Sequence, residues 1–258
     1  MGDLIMKLYE IYFSPTGGTK KAADILAQGL SENILPVDLT DSTANFSTIF
    51  LSEKDVALIA VPSYGGRVPK PAIERIASIN ANGAKAVLLC VYGNRAYEDT
   101  LVELEDSVKR SGFCVISAVA AVAEHSIAHQ FAAGRPDVQD QTQLTDFARQ
   151  ILEKMSSENT SNPLIPGNRP YKKSSGSGMV PKPTKNCIKC GLCARECPVK
   201  AIDTENPGKT DANVCISCMR CVSICPHSAR KVNPVMLAAV NTMLKKACST
   251  RKTCELYL

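Results

Sequence analysis

The chain has 258 residues, of which 45% are apolar, and a formal net charge of +5. This length has room for one ordinary domain and a small second one, and the apolar share is normal for a globular core. The basic residues are scattered and no aromatic platform accompanies them, so we expect no nucleic-acid binding. No apolar run approaches the roughly 18 residues of a membrane span, which excludes a membrane-spanning class.

The charge is unevenly distributed along the chain. Residues 1–158 carry 14 positive and 20 negative side chains, a net charge of −6, whereas residues 159–258 carry 16 positive and 5 negative ones, a net charge of +11. The excess of positive charge in residues 159–258 can dock this part on the acidic first part or steer an acidic partner. The opening residues lack the basic region and apolar core of an export signal, so we expect a cytoplasmic protein.

Strands and helices alternate through residues 1–157, which we predict to be one domain. An apolar strand at 4–13 leads into a small-residue loop and a helix. Further strands are predicted at residues 34–37, 56–61, 86–91 and 113–122. A helix begins near Pro71, a second carries Tyr97 on its apolar face, and a third includes Met155. This alternation predicts an α/β fold with a five-stranded parallel sheet, in the doubly wound order 2-1-3-4-5.

Three loops of unusual composition follow strands at the carboxyl edge of that sheet, where such folds bind ligands. Residues 14–19 combine Gly with hydroxyl side chains before a helix N-terminus, which suits a phosphate. Residues 62–67 and 92–97 each supply Tyr and Gly, which suits a flat aromatic ring. Turns of this kind also serve simply to cap helices.

Three basic side chains lie near these loops. Arg67 and Arg95 belong to two of them, where a cation would stabilise an anionic reduced ring; solvent-facing ion pairs are the competing expectation. His125 follows the fifth strand and either reaches a ligand or, as we favour, bonds to nearby backbone. Cys90 and Cys114 lie in apolar strands, so we expect both to be buried.

Residues 158–184 are rich in Pro, Gly and Ser without apolar periodicity, and we predict them to be a linker. The linker either lets the flanking domains move or lies as an ordered strap across the first one. Residues 185–232 form the predicted second domain. Residues 233–258 are a predicted amphipathic helix and tail that can pack on either domain, and Cys248 and Cys254 in the tail lack ligand spacing.

The second domain contains the spacing C-x2-C-x2-C-x3-C-P twice, which is the ligand run of two [4Fe–4S] clusters. The short gaps let three thiolates face one cluster, whereas the fourth lies beyond that reach and binds the other cluster. We assign Cys187, Cys190, Cys193 and Cys225 to the first cluster, and Cys215, Cys218, Cys221 and Cys197 to the second. A zinc ribbon stops at four thiolates per site. Apolar neighbours are expected to exclude water from the clusters: Ile188, Leu192, Ile202, Val214, Ile216 and Ile224.

The segment Phe13-Ser-Pro-Thr-Gly-Gly-Thr19 resembles the FMN phosphate loop of flavodoxin-like proteins. Together with the cysteine run, the chain resembles flavodoxin–ferredoxin fusions, also called ferrodoxins. The resemblance implies a flavodoxin-like domain, a small α+β two-cluster ferredoxin-like domain, one FMN and two [4Fe–4S] clusters. It implies that the FMN phosphate is bound by Ser14, Thr16, Gly17, Gly18 and Thr19. It implies that the flavin ring lies between Ser63, Tyr64, Gly65 and Gly66 on one side and Gly93, Asn94 and Tyr97 on the other. The chain departs from many flavodoxins in lacking Trp.

Two classes of function are consistent with these features. The first is an electron-transfer protein that relays electrons between the clusters and FMN, coupling one- and two-electron steps for redox protein partners such as ferredoxin or a reductase. The second is a ferredoxin-dependent FMN oxidoreductase that reduces a small molecule. Its candidate substrate contacts are Arg67, Arg95, Tyr97 and His125. A second copy of the chain is a further candidate partner.

Overall fold

The computed structural model describes residues 6–157, 161–173 and 178–258. Within this part of the chain, eight strands form: β1 (Lys7–Tyr12), β2 (Asn33–Asp38), β3 (Val56–Pro62), β4 (Lys85–Tyr92), β5 (Cys114–Val122), β6 (Lys182–Pro183), β7 (Arg230–Lys231) and β8 (Glu255–Tyr257). The α-helices of the same part are α1 (Gly18–Leu30), α2 (Lys70–Ile76), α3 (Thr100–Arg110), α4 (Val138–Ser156), α5 (Leu192–Arg195), α6 (Arg220–Ser223) and α7 (Pro234–Lys245).

The larger sheet has the order β2-β1-β3-β4-β5-β8. Strands β1 to β5 are parallel, and the register pairs Ile11 of β1 with Val37 of β2 and Ile59 of β3. This confirms the α/β class and the doubly wound order 2-1-3-4-5, which is the flavodoxin-like order. The sixth strand, β8, comes from the tail, pairs antiparallel with β5 and was not predicted from the sequence.

Both faces of the sheet are covered, because its central strands are apolar on both sides. One core lies between the sheet and helices α2 and α3, and includes Ile59 and Leu88 from the strands and Leu101 from α3. The other lies between the sheet and helices α1 and α4, and includes Leu58 from β3 and Leu144 from α4.

Two details of the first domain differ from expectation. Tyr97 lies before α3, where its carbonyl accepts the N–H of Thr100, so the helix begins three residues later than its apolar pattern indicates. Cys90 is buried as expected, but the prediction for Cys114 was wrong: this residue is exposed, because it opens β5 at the strand's amino end. The first two residues of the strand predicted at 4–13 lie outside the described residues.

Residues 161–173 of the predicted linker form an ordered strap along α3. The backbone N–H groups of Asn168 and Lys172 donate to the two carboxylate oxygens of Asp99, at 2.8 and 2.7 Å. Arg169 donates to Asp106 at 2.8 Å and to Glu105 at 2.9 Å. Of the two expected alternatives, these residues therefore adopt the ordered strap. Residues 174–177 of the Gly/Ser stretch lie outside the described residues.

The cysteine-rich region has a short two-stranded sheet of β6 and β7 and the single-turn helices α5 and α6, which makes it a small α+β unit. It touches the first domain through hydrogen bonds from Arg75 to the carbonyl of Pro198 at 2.5 Å and from Arg220 to that of Pro15 at 3.4 Å. In the described ranges of the chain, no helix combines the length and apolarity needed to cross a membrane.

Candidate functional site

The loop at residues 14–19 ends in a helix start that leaves backbone amides available. Gly17 adopts φ +90°, which favours glycine, and as N-cap of α1 it supplies no side-chain hydrogen bond to the first turn. The Ser14 hydroxyl accepts the N–H of Lys20 at 2.9 Å, and the Ser14 N–H donates to Thr40 at 2.7 Å, so the loop is held on both sides. Ser14 and Thr19 are buried. This arrangement suits an anion over the helix N-terminus.

The loop at residues 62–67 makes a tight turn beside it. Tyr64 and Arg67 exchange backbone hydrogen bonds at 2.9 and 3.2 Å, and Gly65 and Gly66 between them adopt φ values of +61° and +85°. A side chain on Gly66 would collide with Glu98. Ser63 bonds to Thr100 through the two hydroxyls at 2.7 Å, which fixes the turn on α3.

The loop at residues 92–97 is clamped by the tail. The Asn94 amide donates to the carbonyls of Cys248 and Thr250 at 3.1 and 2.9 Å, and Lys252 donates to the carbonyls of Asn94 and Arg95. Gly93 lies against the His125 ring, which a side chain at Gly93 would displace. The loop is therefore shaped by contacts that lie more than 150 positions away in sequence.

Tyr97, the last residue of this loop, is also held by the tail. Its hydroxyl bonds to Glu255 at 2.8 Å and to the Tyr257 hydroxyl at 2.6 Å. Burial, followed by these two bonds, raises the pKa of Tyr97 well above its usual range. The phenol thus stays protonated and fastens β8 to the loop.

The basic candidates are engaged within the chain. Arg67 forms a two-bond ion pair with the buried Glu103 at 2.7 and 2.6 Å and donates to the carbonyl of Lys172. Arg95 pairs with Glu98 at 2.8 Å. Their guanidinium groups are therefore directed to carboxylates of the first domain.

His125 bonds to backbone, as we favoured. Its Nδ1 accepts the N–H groups of Ile127 and Ala128 at 3.2 and 3.1 Å. Burial lowers its pKa, so the ring is neutral at pH 7. Because Nδ1 accepts, the ring proton must lie on Nε2.

The first set of four predicted cluster ligands lines a single cavity. Cys187, Cys190, Cys193 and Cys225 all border it, together with Leu192, Pro207 and Arg230. The Cys225 sulfur accepts the N–H of Ala229 at 3.3 Å. Burial raises the pKa of Cys225, but donors from Ala229 and its neighbours outweigh that and lower it, which favours a thiolate. Four thiols around one space, with the thiolate favoured at one of them, fit a [4Fe–4S] cluster.

The second set of predicted ligands is also gathered together. Cys197 and Cys218 are buried, and the Cys197 sulfur accepts the N–H of Ala201 at 3.3 Å. Burial, followed by the negative charge of the other three thiolates, raises the pKa of Cys218 to about 12. Cys215 and Cys221 pack against the buried cluster that contains Cys197, and a bound cationic metal would relieve the repulsion between thiolates. Within the described residues, no three His, Cys, Asp or Glu side chains form a ready site for one metal ion.

The two cysteine runs have the same local geometry, displaced by 28 positions in sequence. Helix α5 corresponds to α6, left-handed Gly191 (φ +76°) corresponds to Met219 (φ +63°), and Lys189 (φ +57°) corresponds to Ser217 (φ +53°). The bond to the fourth sulfur is repeated as well, at the same 3.3 Å. Each run therefore presents its cysteines in the same way.

The expected apolar cover is incomplete. Ile202 is buried at 4% exposure, but Ile188 and Val214 are 64% and 43% exposed, so the expectation was wrong for these two. Both lie on loop positions that are exposed to solvent in the described part of the chain. Ile188 directly follows Cys187, and Cys190 is itself exposed, so the first set lies near the protein surface.

The second set faces the first domain. Burial, followed by the charge of Cys218, raises the pKa of Tyr64. Ile216 packs against the core of the first domain, and Arg220, next to Cys221, reaches Pro15 at 3.4 Å. The second cysteine run thus contacts the candidate ligand loop at 14–19 through Arg220.

Sequence comparison identifies the cysteine region. Residues 186–230 match the family described as a 4Fe-4S dicluster domain. The chain is 36% identical over 58 residues to the B subunit of polysulfide reductase of Wolinella succinogenes, an alignment that covers 21% of this chain and 30% of that protein. These matches support [4Fe–4S] chemistry and electron transfer in this region.

Flavodoxins are among the solved structures similar to the first domain. A flavodoxin of Streptococcus pneumonia TIGR4 is 23% identical, with a TM-score of 0.42, and the match covers 57% of this chain and 99% of that one. A flavodoxin mutant of Fusobacterium nucleatum bound to flavin mononucleotide is 17% identical, with a TM-score of 0.39, covering 60% and 96%. The strand order, rather than these likenesses, defines the fold of the first domain.

Proposed function

We propose that this protein is an electron relay that holds two [4Fe–4S] clusters and one FMN. Cys187, Cys190, Cys193 and Cys225 would hold an outer cluster, and Cys215, Cys218, Cys221 and Cys197 an inner one. The loops at 14–19, 62–67 and 92–97 would hold FMN. When bound, the clusters pass single electrons, and FMN passes electrons singly or in pairs.

The observation that carries this proposal is the contact of the second cysteine run with the loop at 14–19 and with the core of the first domain. Ile216, next to Cys215, packs against the core of the first domain, and Arg220, next to Cys221, donates to the carbonyl of Pro15. These contacts support an order in which the outer cluster, the inner cluster and FMN follow one another from the surface inward. Covalent connection keeps the centres at high effective concentration.

The outer surface favours a protein partner. The exposed Ile188 is flanked in sequence by the exposed Lys185, Lys189 and Cys190. An apolar centre among basic groups suits a redox protein with an acidic surface, because opposite charges steer the encounter. A reduced ferredoxin is such a partner by chemical class.

The alternative, reduction of a small molecule at FMN, has less support. It needs free polar groups over the ring, but Arg67 and Arg95 are paired with Glu103 and Glu98, and the Tyr97 hydroxyl is bonded to the tail. The remaining candidate is Nε2 of His125. The contacts of the described residues therefore favour the relay.

Cofactor analysis tests the proposal. The full chain, purified without oxygen, is expected to contain about eight iron atoms, eight sulfide ions and one FMN. Thr19→Val is expected to lower the FMN content while the iron content stays the same, because it removes a hydroxyl from the phosphate loop only. Zinc in place of iron, without flavin, would contradict the proposal.

A further inference from the structure

Arg230 is a charged side chain buried among the cysteines, with 2% of its surface exposed. Its Nη1 donates to the carbonyl of Pro207 at 2.7 Å and to the Cys193 sulfur at 3.4 Å. Its Nη2 donates to the carbonyl of Pro181 at 3.0 Å and to the Thr210 hydroxyl at 2.6 Å. None of these partners is a carboxylate, so the positive charge is not neutralised by them.

The guanidinium lies against the first cysteine set. It borders the cavity of the first set and bonds directly to one of its sulfurs. Its Nε–H is buried and has no hydrogen-bond partner among the described residues. A buried cation without a full set of partners is costly, which indicates a role beyond packing.

This cation occurs in only one of the two cysteine runs. The position 28 residues earlier is Ile202, which is apolar and buried at 4% exposure. The two runs otherwise share their local geometry, so the replacement of a buried Ile by a buried Arg distinguishes the surroundings of their cysteines. The charge bonds to Cys193 of the first set and has no counterpart at the same position of the other run.

We propose that Arg230 is a positioning residue that sets the reduction potentials of the two clusters apart. This inference rests on the proposed two-cluster function. A cluster that gains an electron becomes more negative, so a fixed cation and an N–H···S bond stabilise its reduced form more than its oxidised form. Arg230 thereby raises the reduction potential of the outer cluster. In each transfer the donor protein loses one electron and the outer cluster gains it.

Two substitutions separate the charge from the shape of the side chain. Arg230→Met keeps much of the length and removes the charge, whereas Arg230→Lys keeps the charge and removes the planar fork. The full-length protein is purified without oxygen, its iron is counted, and it is titrated with dithionite while EPR follows each cluster. We expect two separated midpoint potentials in the unchanged protein. Arg230→Met should lower the higher one and narrow the separation, and Arg230→Lys should fall between.

The outcomes are distinct. An Arg230→Met protein with full iron content and unchanged midpoints overturns the inference, as does iron loss in all variants without a shift in the remaining clusters. If only Arg230→Met loses iron, the Thr210→Val protein is titrated in its place. This substitution removes one anchor of the guanidinium and should shift the same midpoint potential in the same direction. Unchanged midpoint potentials in both Thr210→Val and Arg230→Lys overturn the inference. Fewer than two clusters in the unchanged protein would instead contradict the proposed function.

Discussion

Glu10 lies on β1 with 2% of its surface exposed. One carboxylate oxygen pairs with Lys20 at 3.4 Å, and the other has no hydrogen-bond partner in the described part of the chain. Burial, followed by the charge of Asp24, raises the pKa of Glu10 to about 7, although Lys20 acts in the opposite direction. Glu10 is therefore only partly ionised at neutral pH, on the strand that leads into the phosphate loop.

The raised pKa of Glu10 predicts a cost in folding stability that grows as the pH rises. The folded protein binds this proton more tightly than the unfolded chain, so the stabilisation is complete below about pH 4.5 and is lost as the pH rises through about 7. We expect Glu10→Gln to be more stable than the unchanged protein at pH 8, by on the order of 2–3 kcal/mol, with most of the difference gone at pH 5. Urea midpoints at the two pH values measure it.

The exposed Glu32 supplies the matched control for this experiment. Glu32→Gln should leave the urea midpoints nearly unchanged at both pH values, because a solvated carboxylate interacts similarly in the folded and unfolded chain. An equal difference between Glu10→Gln and the unchanged protein at pH 5 and pH 8 would contradict the assignment of the cost to Glu10.

At the scale of elements, the loop at residues 14–19 and α1 are expected to bind the FMN phosphate. Thr19 is buried in the first turn of the helix. Thr19→Val keeps its shape and removes one hydrogen-bonding group, so we expect about tenfold weaker FMN binding, since one bond to a charged group contributes roughly 1.5 kcal/mol. Flavin fluorescence titration of deflavinated protein measures it. Thr142→Val on the exposed side of α4 is the control, and equal affinities of both variants would contradict the placement.

The tail is a second element whose role is testable. Lys252 donates to the carbonyls of Asn94 and Arg95, and its own N–H donates to the Asn94 side chain. We expect Lys252→Met to loosen the loop at 92–97 and to weaken FMN binding several-fold, with the iron content unchanged. The same titration measures this, and Lys245→Met on α7 is the control. Unchanged FMN affinity in Lys252→Met would mean that the clamp does not shape the flavin site.

Some elements could be predicted from the sequence and others could not. The order 2-1-3-4-5 was predictable because strands and helices alternate along the chain and three strands end in loops of distinctive composition. Strand β8 has three residues, too few for such a pattern, and its partners lie far away in sequence. Arg230 resembles any solvated charge until the two runs are aligned and Ile202 is found at its equivalent position.

At the scale of the whole molecule, the cysteine region is held against the first domain by a few polar bonds. Arg75 of α2 bridges the two parts, donating to the carbonyls of Leu39 and Pro198. Pro198 directly follows Cys197 of the inner set. The charge difference along the chain is consistent with this docking, because the basic second part meets an acidic first part.

Loss of the Arg75 bridge should separate the two parts more often. Arg75→Leu removes a bond between them that contributes about 1 kcal/mol, so we expect electron transfer to FMN to slow by up to about fivefold while iron and FMN contents stay the same. Stopped-flow reduction measures the rate. Arg149→Leu on the exposed face of α4 is the control, and an Arg75→Leu rate equal to that of the control would contradict this role of the contact.

The central claim is the order outer cluster, inner cluster, FMN. Its most direct test is the reduction of the intact protein by a reduced ferredoxin in a stopped-flow instrument, with cluster and flavin absorbance followed separately. We predict that the clusters bleach first and that FMN follows at a rate that becomes independent of the ferredoxin concentration, because the last transfer is internal. FMN reduction that precedes the clusters, or that rises in proportion to ferredoxin without limit, would contradict the relay.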